Sequence, residues 1–211
     1  HVAISGRRGD VVREVSESLP DAIGVEMDLS IPGNPTQLVN RVSVELGPIE
    51  ILILNSGGPK PGNASSVTRE SFLNAAEYLI LQHTELVNAA LPGMIERGWG
   101  RIVAIGSTGI QVPNAELALS SMARSSLAAY LKMLASELAK SGITVNMVHP
   151  GRIDTDRVRF IDRTRSEREG VPLEEIRTQS QSKIPMGRYG RPEEFGALAT
   201  FLCSDAASYI T

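Results

Sequence analysis

Short apolar runs alternate with longer amphipathic stretches along the 211 residues of the chain. The apolar runs predict strands, and the stretches between them carry the three-to-four-residue spacing of helices. The run at 49–54 is apolar except for Glu50, which predicts a strand buried on both faces, as in parallel sheets. Strands are expected at 2–5, 22–29, 49–54, 101–105 and 143–148.

Helices are predicted between these strands, and glycines mark several of their ends. They are expected at 10–19 with Asp10 as the cap, at 35–46 before Gly47, at 68–97, at 117–141 before Gly142, and at 192–203. Residues 154–191 are polar and irregular, with one or two helices. The alternation predicts an α/β fold with a doubly wound, Rossmann-like parallel sheet in a single domain over 1–211. Such sheets bind ligands at the carboxyl ends of their strands.

Composition excludes several classes of protein. The chain is 42% hydrophobic and 21% charged, which is typical of a globular protein rather than of disorder, collagen or a coiled coil. No apolar stretch is long enough for a membrane span. A net charge of -3 and 4% aromatic residues argue against nucleic-acid or anionic-membrane partners. The single cysteine, Cys203, excludes an internal disulfide; no metal site is predicted, and a cytoplasmic location is expected.

Four segments, taken in order, resemble the short-chain dehydrogenase/reductase family. They are Ile-Leu-Ile-Leu-Asn-Ser-Gly-Gly at 51–58, Gly-Arg-Ile-Val-Ala-Ile-Gly-Ser at 100–107, the stretch from Gly-Ile-Thr-Val-Asn to Ile-Asp-Thr at 142–155, and Pro-Met-Gly-Arg-Tyr-Gly-Arg-Pro-Glu-Glu at 185–194. The chain is most similar to the 3-oxoacyl-acyl-carrier-protein reductase type. The resemblance implies an oxidoreductase that uses NADP or NAD on a small-molecule carbonyl or acyl-thioester substrate.

The resemblance also implies parts that these residues do not supply. The family begins with a strand, a Gly-rich turn and a helix ahead of the strand that starts here at Val2, and it continues past Thr211 into an edge strand. We therefore expect the residues to be a piece of a longer protein, incomplete at both ends. The first family strand would lie between the Val2 and Ile51 strands, so its absence predicts an open seam there.

The cofactor residues that the resemblance implies follow the strands. Asp28 and Leu29 match the adenine contacts, although Asp-Leu-Ser-Ile-Pro is also ordinary turn chemistry. Arg7 and Arg8 stand where NAD enzymes usually place an acidic residue, which favours the 2′-phosphate of NADP, with NAD as the alternative. The other interpretation of this pair is two solvated surface arginines.

Two further segments match the family's cofactor contacts. Asn55, Ser56 and Gly57 resemble the turn that steadies the central strands beside the cofactor ribose. The nicotinamide-side loop is matched by four residues of one segment: Pro150, Gly151, Ile153 and Thr155.

The catalytic set departs from the family. The family uses Asn, Ser, Tyr and Lys, with Tyr thirteen residues after Ser and Lys four after Tyr. Ser107 matches the family Ser, but these spacings place Ser120, Arg124 and Leu79 at the Tyr, Lys and Asn positions. A serine hydroxyl is a far weaker acid than a phenol, so weakened carbonyl reduction is expected. The alternative is a pseudoenzyme that binds a nucleotide or serves as a regulatory subunit.

The charge of one segment bears on the substrate. Residues 156–191 hold nine Arg or Lys and six Asp or Glu. In the family this region, here 154–191, covers the substrate, and a basic cover suits an acidic substrate or carrier; a solvated helix pair is the alternative. His149 is interpreted as a structural wedge before the Pro150-Gly151 turn. A hydrolase is disfavoured, because the sequence contains no Gly-x-Ser-x-Gly elbow.

We also expect a homodimer or homotetramer through the helices at 68–97 and 117–141, because family members pair these helices. The second helix carries four leucines at helical spacing, more than a monomer core needs: Leu127, Leu131, Leu134 and Leu138.

Overall fold

The computed structural model describes all residues from His1 to Thr211. Its strands are β1 (Val2–Gly6), β2 (Ala22–Glu26), β3 (Ile51–Leu54), β4 (Gly100–Ile105) and β5 (Ile143–Val148). Its helices are α1 (Gly9–Glu17), α2 (Asn34–Leu46), α3 (Arg69–Ala76), α4 (Gln82–Arg97), α5 (Ala118–Leu138), α6 (Asp156–Glu169), α7 (Leu173–Gln181) and α8 (Pro192–Leu202). A π-helical turn, Glu77–Leu81, joins α3 to α4.

All strand pairs are parallel, and they form two separate sheets. β1 pairs with β2, while β3, β4 and β5 pair in that order, with Leu52 opposite Ile102 and Ile102 opposite Val145. β1 and β3 do not pair with each other, so each keeps one unpaired edge. Helices connect each strand to the next, which is the arrangement that parallel strands require.

β4 is the centre of the larger sheet and is buried on both faces. Ile102 and Ala104 point into the main hydrophobic cluster, which α2, α4 and α5 cover. Val103 points to the other side, where it packs with Val148 of β5 and Leu202 of α8. Helices on both faces of a parallel sheet confirm the predicted doubly wound α/β fold.

The ends of the helices follow local chemistry, with one correction. Thr68 caps α3, accepting from the Ser71 amide at 3.1 Å, and Gly142 takes the left-handed φ of 72° that ends the helix before β5. Asp10 was predicted to cap α1, which is wrong: Arg8 is the residue before the helix and Asp10 lies in its first turn. A carboxylate there still interacts favourably with the positive end of the helix dipole.

β3 differs from its prediction. Its side chains alternate: Leu52 and Leu54 are buried, whereas Ile51 and Ile53 are 45% and 46% exposed. The expectation of a strand buried on both faces is therefore wrong for these residues, because only one face of β3 is packed.

The leucines of α5 also correct the sequence analysis. Leu127, Leu131, Leu134 and Leu138 were expected to exceed the needs of a monomer core. All four are buried in the main hydrophobic cluster of the chain itself. They therefore give no support to an interface, because the parallel sheet below α5 already covers them.

Arg101 fixes the amino end of β4 and is only 2% exposed. Its guanidinium donates to the carbonyls of Gly100 at 2.9 Å, Gly142 at 3.2 Å and Ser204 at 3.5 Å, and it pairs with Asp205 at 3.5 Å. The Trp99 ring lies 4.3 Å from its central carbon. Because each buried N–H group has an acceptor or a π face, the charge is tolerated inside the fold.

His83 is a buried polar residue of α4, only 1% exposed. Its Nδ1 lies 3.2 Å from the Leu79 carbonyl oxygen. Since a carbonyl only accepts, Nδ1 carries the proton and Nε2 is bare; Nε2 is buried and has no hydrogen-bond partner. Burial first, and the charge of Arg124 in addition, lower the pKa of His83 to about 4.

No helix of the chain is both long enough and apolar enough to cross a membrane.

We predict that His83 makes the fold sensitive to acid. The folded pKa of about 4 lies below the ordinary 6.5, so between these values only the unfolded chain takes up a proton at this site. Stability is therefore lost as the pH falls through that window, by about 2 kcal/mol between about pH 7 and pH 5. Urea denaturation at both pH values measures the loss, and His83→Leu should be less sensitive by that amount. Equal pH dependence of the two proteins would contradict this prediction.

Candidate active site

The carboxyl ends of β1, β2 and β3 border one cleft of about 640 Å³. Parallel strands bring their carboxyl ends to the same edge, so residues that follow different strands meet there. The cleft brings together every residue that the sequence predicted for the adenosine and ribose side: Arg7, Arg8, Asp28, Leu29, Asn55, Ser56 and Gly57.

Charge in the cleft is organised by Arg7 and Asp28. Arg7 is exposed, and its guanidinium lies 5.7 Å from the centre of the Tyr78 ring. Asp28 accepts from the Ser30 hydroxyl at 2.7 Å and from the Ser30 amide at 3.0 Å. These bonds, together with the Arg7 charge, hold the pKa of Asp28 below its ordinary value. Asp28 thus forms the turn of the alternative interpretation while it also lines the cleft.

Two hydroxyls in the cleft wall have no partner. Ser5 Oγ and Ser56 Oγ are both buried and make no hydrogen bond within the chain. A buried hydroxyl without a partner is costly, and this cleft lies between β1 and β3, whose facing edges are unpaired. Ser5, Tyr78 and Gln82 were not identified from the sequence, because single polar residues near strand and helix ends carry no spacing signal.

The predicted nicotinamide-side loop lies outside this cleft and is fixed from the other side. Ile153 pairs with Gly190 as an isolated parallel bridge, and the Asp154 amide donates to the Gly190 carbonyl at 2.8 Å. Thr155 precedes α6, and its hydroxyl donates to the Ile153 carbonyl at 3.3 Å. Pro150 and Gly151 connect this loop to β5.

A buried carboxylate ties α6 to the same loop. Asp162 of α6 is 1% exposed and accepts from Arg152 at 2.6 Å and from the Tyr189 hydroxyl at 2.7 Å. Burial first, and the Asp162 carboxylate in addition, raise the pKa of Tyr189, so this phenol stays neutral. The network ties the middle of α6 to the loop before it and to the segment at Tyr189.

Ser107 lies just past the end of β4, where its backbone and side chain are both constrained. Its amide donates to His149 Nδ1 at 3.2 Å, and its Oγ accepts from the Gly109 amide at 3.1 Å. Gly106 allows this approach, since a Cβ there would lie 2.5 Å from His149 Nδ1. The hydroxyl hydrogen of Ser107 remains free to donate to a ligand. The interpretation of His149 as a structural wedge agrees with these contacts.

Ser120, Arg124 and Leu79 have different surroundings. Ser120 is half-buried in the first turn of α5, and its hydroxyl makes no hydrogen bond within the chain. Arg124, one turn later and 8% exposed, donates from Nη1 to the Ile105 carbonyl at 2.8 Å. Leu79 is fully buried against Ala75 and Ala123, so the site has an apolar wall there.

Sequence reasoning missed Arg157, which lies in the first turn of α6. Its Nη2 donates to the Pro59 carbonyl at 3.2 Å, which places the guanidinium at the loop that follows β3. The pKa of Arg124 is lowered first by burial and then by the like charge of Arg157. Arg157 is one of many arginines in a basic segment, so no pattern marks it in the sequence.

Comparison with known proteins shows which family the chain is similar to. The family model described as enoyl-(acyl carrier protein) reductase matches residues 1–211. The 3-oxoacyl-[acyl-carrier-protein] reductase FabG of Aquifex aeolicus is 33% identical over the whole chain and 82% of its own length. A putative ketoacyl reductase of Streptomyces coelicolor is 30% identical over 95% of the chain and 77% of its own length. Nodulation protein G of Azospirillum brasilense is 33% identical over 82% of the chain, which spans 66% of that relative.

Solved structures of two reductases share the fold of this chain. YwfH, an NADPH-dependent reductase involved in bacilysin biosynthesis, superposes with a TM-score of 0.93 at 27% identity, over 99% of this chain and 83% of its own. An actinorhodin polyketide ketoreductase with NADPH superposes with a TM-score of 0.92 at 29% identity, over 99% of this chain and 82% of its own. The chain belongs to the short-chain dehydrogenase/reductase family.

Proposed function

We propose that the protein is an NADP(H)-dependent oxidoreductase that interconverts a carbonyl group and an alcohol, with a weakened catalytic set. One observation carries this proposal: the cleft gathers all of the predicted adenosine-side residues at the carboxyl ends of three parallel strands. The named reductases among its relatives and structural neighbours support it. The free thiol of Cys203 suits a reducing compartment, and we propose a cytoplasmic location.

The residues present fit part of the cofactor. Arg7 and Arg8 line the cleft and offer charge to a 2′-phosphate. On the nicotinamide side, Ile153 and Thr155 are held by the bridge to Gly190. When bound, NADPH would supply the hydride that reduces the carbonyl carbon.

The residues of this chain act on the carbonyl oxygen. The free hydroxyl hydrogen of Ser107 would orient that oxygen, with His149 fixing the Ser107 backbone. The Arg124 guanidinium would stabilise the negative charge that develops on the oxygen, because a fixed cation in a partly buried site acts at low dielectric. We propose that α6 and α7, within 154–191, cover this site, held in place by the Asp162 network.

Proton delivery is the weak step. The Ser120 hydroxyl is not acidic enough to act as a general acid, and Arg124 stays protonated near neutral pH. Leu79 offers no polar side chain to a proton relay. The proton that completes the alcohol would therefore come from solvent, and the loss of a general acid lowers the rate by roughly 10²–10⁴-fold.

The same substitutions favour a second candidate function, a nucleotide-binding or regulatory subunit without dehydrogenase activity. Under that proposal the cleft binds NADP(H), but no carbonyl compound is turned over. Oxidation of NADPH in the presence of a panel of ketones separates the two functions.

We predict that the protein binds NADPH more tightly than NADH through Arg7 and Arg8. Changing both to alanine removes two charge-assisted contacts, so the Kd for NADPH should rise by about tenfold or more while that for NADH stays unchanged. Fluorescence titration measures both constants. Arg13→Ala, which changes an exposed arginine of α1, the helix that follows them, is the control and should leave both unchanged. Tighter binding of NADH by the unaltered protein would contradict the prediction.

We predict that Ser120→Tyr combined with Arg124→Lys raises carbonyl reduction. The two changes supply a phenol and the cation that lowers its pKa one helical turn away, and general acid catalysis contributes roughly 10²–10⁴-fold. The rate of NADPH oxidation with a reactive ketone measures the gain.

The matched control is Ser120→Phe with Arg124→Lys, which adds the ring and the same lysine without the phenol hydroxyl and should gain nothing over the original rate. If the tyrosine variant binds NADPH but is no faster than this control, the binding-subunit proposal is favoured.

We further propose a homodimer or homotetramer through α3, α4 and α5, on exposed side chains rather than on the buried leucines. Leu73, Leu81 and Ile95 on one helical segment, and Met122 and Met133 on α5, are each more than 40% exposed. We predict a mass of two or four chains in light scattering at micromolar concentration. Met133→Glu should shift it towards one chain, because it places charge in an apolar contact. A single-chain mass for the unaltered protein would contradict this proposal.

A further inference from the structure

Two arginines of this chain are buried, and they differ in what surrounds their charge. The guanidinium of Arg101 has three carbonyls, the Asp205 carboxylate and the Trp99 ring around it. The guanidinium of Arg124 has one hydrogen bond, from Nη1 to the Ile105 carbonyl. A guanidinium has five N–H donors, so Arg124 retains donors that the chain does not satisfy.

No carboxylate neutralises Arg124. None of the ion pairs of the chain includes it. Arg157 is the one charged group that shifts its pKa, and a like charge adds to the cost of burial. The neighbouring His83 is neutral, because its pKa lies at about 4. Arg124 is 8% exposed, and its remaining nitrogens are not among the buried atoms that lack a partner, so they face solvent and are open to a ligand.

Arg157 brings a second unpaired cation to the same edge of the sheet. Its Nη2 donates to Pro59 beyond β3, while Arg124 donates to the last residue of β4, the strand that pairs with β3. The acidic residues beside it are already engaged, since Asp154 and Asp156 both pair with Arg159. The charge of Arg157 lowers the pKa of Arg124, so an anion that contacts both guanidiniums would be held by two cations.

We propose that Arg124 and Arg157 together bind an oxyanion, a carboxylate or a phosphate, of a ligand held at the carboxyl ends of β3 and β4. Guanidinium groups recognise both anions through paired, charge-assisted hydrogen bonds. This inference rests on the proposed function for the identity of the ligand. The oxyanion is then either the acidic group of an oxo-acid substrate or the diphosphate of the cofactor.

A substrate carboxylate at this position would also orient the reaction. In a 3-oxo acid the carboxylate is two bonds away from the reacting carbonyl carbon. Held by Arg157 and Arg124, it would direct the carbonyl oxygen towards the free hydroxyl hydrogen of Ser107. Arg157 would then determine specificity, and neutral ketones would bind weakly.

The test compares acetoacetate with its neutral methyl ester, which has the same ketone but lacks the charge. Saturation-transfer NMR on the methyl signals gives the Kd of each, with and without saturating NADP⁺, which cannot reduce the ketone, and fluorescence titration gives the Kd of NADPH. We expect acetoacetate to bind about tenfold more tightly than the ester, and Arg157→Gln to remove the difference. Arg163→Gln, an exposed and unpaired arginine on the same helix, is the matched control and should change neither constant.

Each outcome decides between the two sources or overturns the site. If Arg157→Gln weakens acetoacetate alone, the anion is that of the substrate; if it weakens NADPH alone, the anion is the cofactor diphosphate. If it weakens neither, the oxyanion site is wrong. Binding is measured without turnover, so a protein that binds acetoacetate through Arg157 but reduces no ketone would retain the site and disprove the reductase.

Discussion

The burial of β4 between helices on both of its faces is the constraint on which the rest of the structure depends. Ile102 and Ala104 pack under α4 and α5, while Val103 packs under α8. A strand covered on both sides can present polar chemistry only at its ends. The amino end is closed by Arg101 and its carbonyl acceptors. The carboxyl end stays open, and there Arg124 reaches Ile105.

The two ends of β4 illustrate two uses of a buried cation. Arg101 is satisfied by the fold, so its charge holds the segment near Asp205 against the sheet. Arg124 is satisfied only in part by the chain, and its other nitrogens face solvent, where a ligand can supply acceptors. Donors that are open to a ligand are typical of a binding site, whereas a fully satisfied charge is typical of structure.

Much of the fold could be predicted because its signals are local. β5 matches its predicted bounds. Gly142 ends the helix before it, and this end could be predicted because glycine readily adopts the positive φ that a helix end requires. The exposure of Ile51 and Ile53 could not be predicted, because an apolar strand looks the same whether one face or both are packed. The burial of the α5 leucines depends on their tertiary contact with the sheet below them, which the spacing of the leucines does not indicate.

The site could be predicted only where motif spacing fixed it. Seven residues of the cleft follow strands and were identified from their order, while Arg157 and His83 act through three-dimensional neighbours that no spacing reveals. Arg157 lowers the pKa of Arg124, and the charge of Arg124 in turn lowers that of His83. A guanidinium keeps its charge at any physiological pH, so Arg124 is a permanent positive charge at the carboxyl end of β4. Such a charge favours anion binding and charge stabilisation over proton transfer, which is the physical reason for proposing Arg124 as an anion ligand.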